Sequence, residues 1–186
     1  MFVIWRIINE AKTRMEEETN KLKNFQARLE SAKTLADIFE IVKSAVWESR
    51  RKSRGGIMLG LANLGNHPQG FFGAFYPVGS NVIVMNKIPL QRIMETRKEL
   101  YKPYIFHILL HEYLHTLGYL SEDAVRQMVF EITRDAFGEE HLATRIAADT
   151  THFFKNLVYP DAAWQPDDMR LELVEGFDRE SASYIA

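Results

Sequence analysis

The chain has 186 residues, 46% of them hydrophobic and 26% charged, with a net charge of −2, a pI near 6.3 and no cysteine. This composition suits one soluble core with a small appendage and gives no general pull towards nucleic acid. The missing cysteines exclude disulfides, thiolate metal sites and cysteine nucleophiles, so any metal must be held by His, Asp or Glu.

The opening residues, MFVIWRII, are apolar but interrupted by Arg6 and followed by a charged segment. They lack the continuous core and small-residue cleavage site of a signal peptide, and no run of about 18 apolar residues is available for a membrane span. The expectation is a cytoplasmic protein with no membrane segment. Residues 5–32 contain no Gly or Pro and are rich in Glu, Lys and Arg, which predicts one long helix. Along it Ile8, Met15, Leu22 and Leu29 recur every seven positions, with Ala11, Phe25 and Ala32 offset by three and Glu18 breaking the second series. Such a seam fits either a homodimer through the N-terminal helices or a helix lying along its own domain. A second helix, about Leu35 to Ser49, carries Leu35, Ile38, Phe39, Val42, Ala45 and Val46 on one stripe and folds back as a hairpin. The basic run at 50–54 reads as a solvated helix end.

Gly55 and Gly56 mark a change of texture. GGIMLGLANLG, FFGAFYP and SNVIVMN read as three short strands joined by turns at 65–70 and 77–80. Helices return near Pro89 and again near Pro103, the latter running to Leu117 with Gly118 as its cap. Ser121 is a good N-cap for a further helix ending at Phe137 before Gly138. The predicted organisation is an α+β fold. Residues 1–54 form a helical hairpin, 55–150 a small mixed or antiparallel sheet packed on a central helix and further helices, and 151–186 a tail.

The central helix carries HILLHEYLHTLGYLSED, residues 107–123. Helical residues four apart differ by about 40° around the axis and about 6 Å along it. His111 and His115 therefore point the same way, their imidazoles can meet on one divalent ion, and Glu112 lies beside them. Zinc suits this His-Glu-x-x-His pattern: it accepts two nitrogen ligands, keeps a position open and lowers the pKa of a bound water towards about 7. Glu112 is then the general base that takes the proton of that water. The flanking residues make this the most apolar helix of the chain, and burying unpaired imidazoles and a carboxylate there costs several kcal/mol, roughly, unless a cation offsets it. His107 lies about 12 Å from His115 along the axis, too far to share the ion, and reads as a core or supporting residue.

Over roughly residues 55–140 the sequence resembles the zincin metallopeptidases, the strong part being HisGluTyrLeuHis. The resemblance implies a zinc-dependent peptidase acting on a peptide or protein, with no nucleic-acid partner. It also implies that an edge strand ahead of the motif helix binds the substrate by strand addition, for which residues 80–86 are in the right place. The segment FEITRDAFG, residues 130–138, resembles the glutamate helix of gluzincins, which implies Glu131 as third metal ligand and Asp135 as a partner orienting a ligand histidine. HisThrLeuGly resembles instead the metzincin turn. The third metzincin ligand falls at Ser121, a poor zinc ligand, and Glu122 is one residue on. The third ligand stays open between Glu131 and Glu122. His141, Tyr113 and Tyr119 are candidates for stabilising an oxyanion.

Two other functions compete with the peptidase. HisGluTyrLeuHisThrLeuGlyTyr also resembles the His-x-x-x-His-x-Leu-Gly-Tyr run of a bacterial metal-dependent endoribonuclease family, which lacks the Glu after its first histidine and has a third histidine where this chain has Ser121. The helical hairpin fits an interaction protein with a merely structural metal site. Within the peptidase reading, the acidic tail, 161–180, is a candidate for a segment that covers the cleft and keeps the enzyme latent.

Overall fold

The computed structural model describes residues 2–65, 72–154 and 170–179. Helix α1 (Phe2–Ser31) begins with a half whose Trp5, Ile8 and Met15 stand exposed. Its second half is anchored: Phe25 meets Phe137 edge to face at 6.0 Å, and the Gln26 amide donates to the Phe137 carbonyl. Helix α2 (Leu35–Arg50) starts on a capping box, in which Thr34 Oγ1 accepts from the Asp37 N–H and the Asp37 carboxylate accepts from the Thr34 N–H. Its apolar stripe, from Ala36 to Val46, is buried.

The sheet has strands β1 (Met58–Ala62), β2 (Ala74–Phe75), β3 (Val82–Asn86) and β4 (Glu172–Leu173), in the order β2-β3-β1-β4. β1 and β3 are parallel, from Met58 opposite Val82 to Ala62 opposite Asn86, and β2 and β4 flank them antiparallel. The sheet is thus mixed, and its fourth strand comes from the tail. Residues 80–86 do not form the exposed edge expected from sequence: β3 is bonded to β1 on one side and to β2 on the other, and β2 is the edge. Between β2 and β3 the chain reverses at Pro77–Ser80, where the Ser80 N–H donates to the Pro77 carbonyl and Gly79 takes a φ of +86°. Glycine at that third position tolerates a conformation that side chains resist.

After β3 come α3 (Lys87–Thr96), capped by the Asn86 side chain, and a single 3-10 turn, Lys98–Leu100. They lead into α4 (Tyr101–Thr116), the motif helix, then α5 (Glu122–Phe137), α6 (Leu142–Ala148) and α7 (Thr150–Phe154). The described residues therefore form a mixed α+β fold of seven α-helices and one four-stranded sheet.

Helix α4 is the axis of the molecule, with Tyr104 to Leu110 and Glu112 to Leu114 all buried. Tyr113 meets Phe39 of α2 edge to face at 5.3 Å, and Phe106 meets Phe137 of α5 at 4.8 Å. Each large apolar side chain buried this way contributes about 1.5–3 kcal/mol, so the helix is held in place by its surroundings rather than by propensity. The core is contiguous: residues of α1, α2, the sheet and α4 to α7 all belong to it.

The described part of the tail lies along β1. Leu171 crosses Gly60 so closely that a Cβ there would overlap the leucine side chain. Phe177 stacks on Phe39 at 4.3 Å, and the buried Lys43 ammonium donates to Asp178 at 2.7 Å. This segment sits at the edge of the sheet opposite β2; residues 161–169 and 180, the rest of the expected covering segment, lie outside the described residues. No helix among the described residues is long and apolar enough to cross a membrane.

Candidate metal centre

The C-terminal half of α4 and the first turn of α5 bring three side chains together. Gly118, with φ +93°, lets the chain turn sharply after Thr116, and Ser121 caps α5 by accepting from the Ala124 N–H. Glu122, the first residue of α5, therefore meets the histidine pair. His111 Nε2 and His115 Nε2 are 3.1 Å apart, with Glu122 Oε2 3.3 Å from the first and Oε1 3.1 Å from the second. Among the described residues this is the one group of three or more potential ligand residues whose donor atoms all lie within 4.8 Å of one another.

His115 Nδ1 lies 2.7 Å from the Tyr119 carbonyl, an acceptor, so Nδ1 carries a proton and Nε2 is the nitrogen turned to the cluster. Burial lowers the pKa of His111, against the raising effect of the Glu122 charge, with His115 and Arg126 lowering it further. Two imidazole nitrogens and a carboxylate thus face one space, and a divalent cation there would be held by all three. Two nitrogens on one tetrahedral zinc lie about 3.4 Å apart, close to the observed separation. The donor set of two imidazoles and one carboxylate fits zinc or another borderline divalent metal.

Glu112 is buried, at 6% exposure, on the inner side of the cluster. Burial first, and then the Glu122 charge, raise its pKa to about 7, while a hydrogen bond from the Tyr76 backbone N–H works in the opposite direction. Tyr76 directly follows β2, so the sheet edge and the motif helix meet at this carboxylate.

The other residues singled out from sequence have different surroundings. Glu131 is not in the cluster: nine residues along α5 it carries its carboxylate about 13 Å further down the axis. There it accepts from the Arg50 guanidinium and the Gln127 amide. Asp135 is exposed beside Arg134. His107 is buried, with Nε2 3.2 Å from Thr150 Oγ1; that hydroxyl gives its own proton to the Ile146 carbonyl, so Nε2 is the protonated nitrogen. Burial, and then His111, lower the His107 pKa to about 3, which keeps the ring neutral. His141 is the N-cap of α6 and stacks on Phe137. The Tyr113 hydroxyl is engaged with the backbone of Arg54, and the Tyr119 ring lies under the Lys52 ammonium.

Two residues at this centre are not legible in the sequence pattern, Tyr76 and Arg54. Arg54 ends the basic run that reads as a solvated helix end, and nothing in the run separates it from its exposed neighbours Arg51 and Lys52. Comparisons with protein-family models, with curated proteins and with solved structures gave no match, so the arrangement stands on its own geometry.

Proposed function

We propose that the protein is a zinc-dependent metallopeptidase, of zincin-like build, in which His111, His115 and Glu122 hold the ion. The observation that carries this reading is the convergence of the two Nε2 atoms and the Glu122 carboxylate beside a buried Glu112. Bound zinc supplies a Lewis acid for a carbonyl oxygen and acidifies water. Glu112 is the general base: its buried carboxylate takes a proton from the attacking water and delivers it to the leaving nitrogen. Strand β2 is the edge of the sheet and runs directly into Tyr76, so it offers backbone groups to an extended peptide next to Glu112. This moves the substrate-aligning role from residues 80–86 to 74–76. Glu122 replaces Glu131 as the proposed third ligand because Arg50 and Gln127 already engage Glu131. The endoribonuclease resemblance is weakened by Ser121, whose hydroxyl caps α5 where that family has a histidine.

The test uses purified protein loaded with zinc and a mixed-sequence fluorogenic peptide library. Wild type is expected to bind one equivalent of zinc and hydrolyse peptides. Glu112→Gln keeps the zinc and loses turnover by about 10²–10⁴-fold. Undiminished turnover in Glu112→Gln overturns the mechanism, and a wild type that binds no zinc overturns the metal centre.

A further inference from the structure

We infer that Arg54 is a positioning residue for the candidate active site: its guanidinium ties the β2–β3 turn, with Tyr76 at its start, to the C-terminus of the motif helix that carries Glu112. This rests on the peptidase reading only for its effect on turnover. The guanidinium donates to three groups: the Thr116 carbonyl at 2.7 Å, the Ser80 carbonyl at 2.9 Å and the Tyr76 hydroxyl at 3.0 Å. The Tyr76 hydroxyl donates in turn to the Ser80 carbonyl at 2.9 Å, which closes a ring of bonds around the turn.

The Arg54 backbone is fixed as well. Its N–H donates to the Tyr113 hydroxyl at 2.8 Å, and that hydroxyl lies 3.2 Å from the Arg54 carbonyl. Tyr113 is fully buried and adjacent to Glu112 in the chain. Thr116 is the last residue of α4, so its carbonyl has no partner within the helix, and a cation there also complements the helix dipole. Arg54 is thus anchored on α4 at both its backbone and its tip, and it carries the 76–80 turn with it. Tyr76, whose backbone N–H lowers the pKa of Glu112 against the effect of burial, leads directly into that turn. None of these contacts touches His111, His115 or Glu122. A planar fork with fixed donor directions is needed to span three acceptors, and a lysine cannot reproduce it.

The test compares wild type, Arg54→Lys, Arg54→Ala and Tyr76→Phe as full-length zinc-loaded proteins. Arg54→Ala is expected to keep its zinc affinity, to lose kcat by about 10–100-fold with little change in KM, and to regain turnover when millimolar methylguanidinium refills the gap. Arg54→Lys falls between. Tyr76→Phe, which removes a single hydroxyl and keeps the proposal testable if Arg54→Ala does not fold, loses several-fold, about 3–10. Amide hydrogen exchange gives a readout independent of peptidase activity: the Tyr76 amide should exchange at least about tenfold faster in Arg54→Ala or Tyr76→Phe and slow again with methylguanidinium in the former. Unchanged Tyr76 exchange overturns the proposal, as does a loss of turnover that only follows a loss of zinc. If zinc-loaded wild type cleaves no peptide, the peptidase reading fails, and Tyr76 exchange alone decides the role of Arg54.

Discussion

Two clusters of ionisable side chains lie on opposite flanks of the sheet, and they are built on opposite rules. At the tail, cations and carboxylates alternate. Lys43 is bonded to Asp178 and Glu40, the second Asp178 oxygen accepts from the Ile57 N–H, and Arg179 donates to Asp37. At the motif, His111, His115 and Glu122 turn two imidazole nitrogens and a carboxylate towards one space, and the Glu122 charge works against that of the buried Glu112. The first pattern joins a terminal segment to the fold. The second is one a fold retains at a cost, and it is relieved when a cation enters. The same kinds of residue thus form a clamp at the tail and a candidate binding centre at the motif.

The largest effect that separates the two clusters is expected at the clamp. Burial opposes the Lys43 charge, but the bonds to Asp178 and Glu40 outweigh it and raise the lysine pKa. Lys43→Met removes the ammonium bonded to the buried Asp178, and urea unfolding should show a loss of about 3–5 kcal/mol. Lys43→Met with Asp178→Leu should recover part of that loss; the Ile57 N–H, left without its acceptor, prevents full recovery. Zinc affinity of the folded protein should be unchanged in both. If the single substitution is silent, the clamp contributes nothing to stability and the contrast with the motif collapses.

A smaller effect discriminates within the motif. Glu122→Gln should weaken zinc binding by about 100-fold, roughly 2.7 kcal/mol, whereas Glu131→Gln should leave it within about twofold. Competition with a chelating dye reads both. Equal losses in the two variants would return Glu131 to the ligand set.

What the sequence made legible follows the range of the interactions involved. The motif helix could be read because its signal is local: apolar residues from Tyr104 to Leu114 surround a histidine pair four positions apart. The helix boundaries at Gly118, Ser121 and Gly138 could be read for the same reason, since caps are chosen by nearest neighbours. Glu122 and Glu131 could not be separated, because they lie on the same helix and only the turn through Gly118 decides which end of α5 meets α4. The edge of the sheet was misplaced because β2 is two residues long and its pairing partners lie nine and eleven positions on. Strand β4 had no local signal, being a short stretch recruited by Lys43 and Phe39 of α2. Arg54 is half-buried for a reason found in three other segments of the chain, and a basic run in isolation does not carry it.

The smallest expected effect sharpens the account of how the clamp reaches the start of α2. The Asp37 carboxylate accepts from the backbone of Lys33 and Thr34 and from Arg179, and these bonds, the Lys33 amide foremost, hold its pKa well below the ordinary 3.8. A carboxylate whose pKa is depressed by folding contributes stability above its unfolded pKa, and that contribution is lost as pH falls through and below this value. Asp37→Asn should therefore cost about 1 kcal/mol from pH 5 to 7, the scale of a helix cap, and the gap to wild type should close below about pH 4. The substitution isolates Asp37, because Asp178 and Glu40 titrate in both proteins. A gap that stays constant down to pH 2 would mean that the loss does not depend on the charge of the carboxylate, and that neither the backbone bonds nor Arg179 act through it. Repeating the measurement in Arg179→Gln separates the two sources: the backbone bonds keep most of the pH dependence, and the part that disappears belongs to the tail.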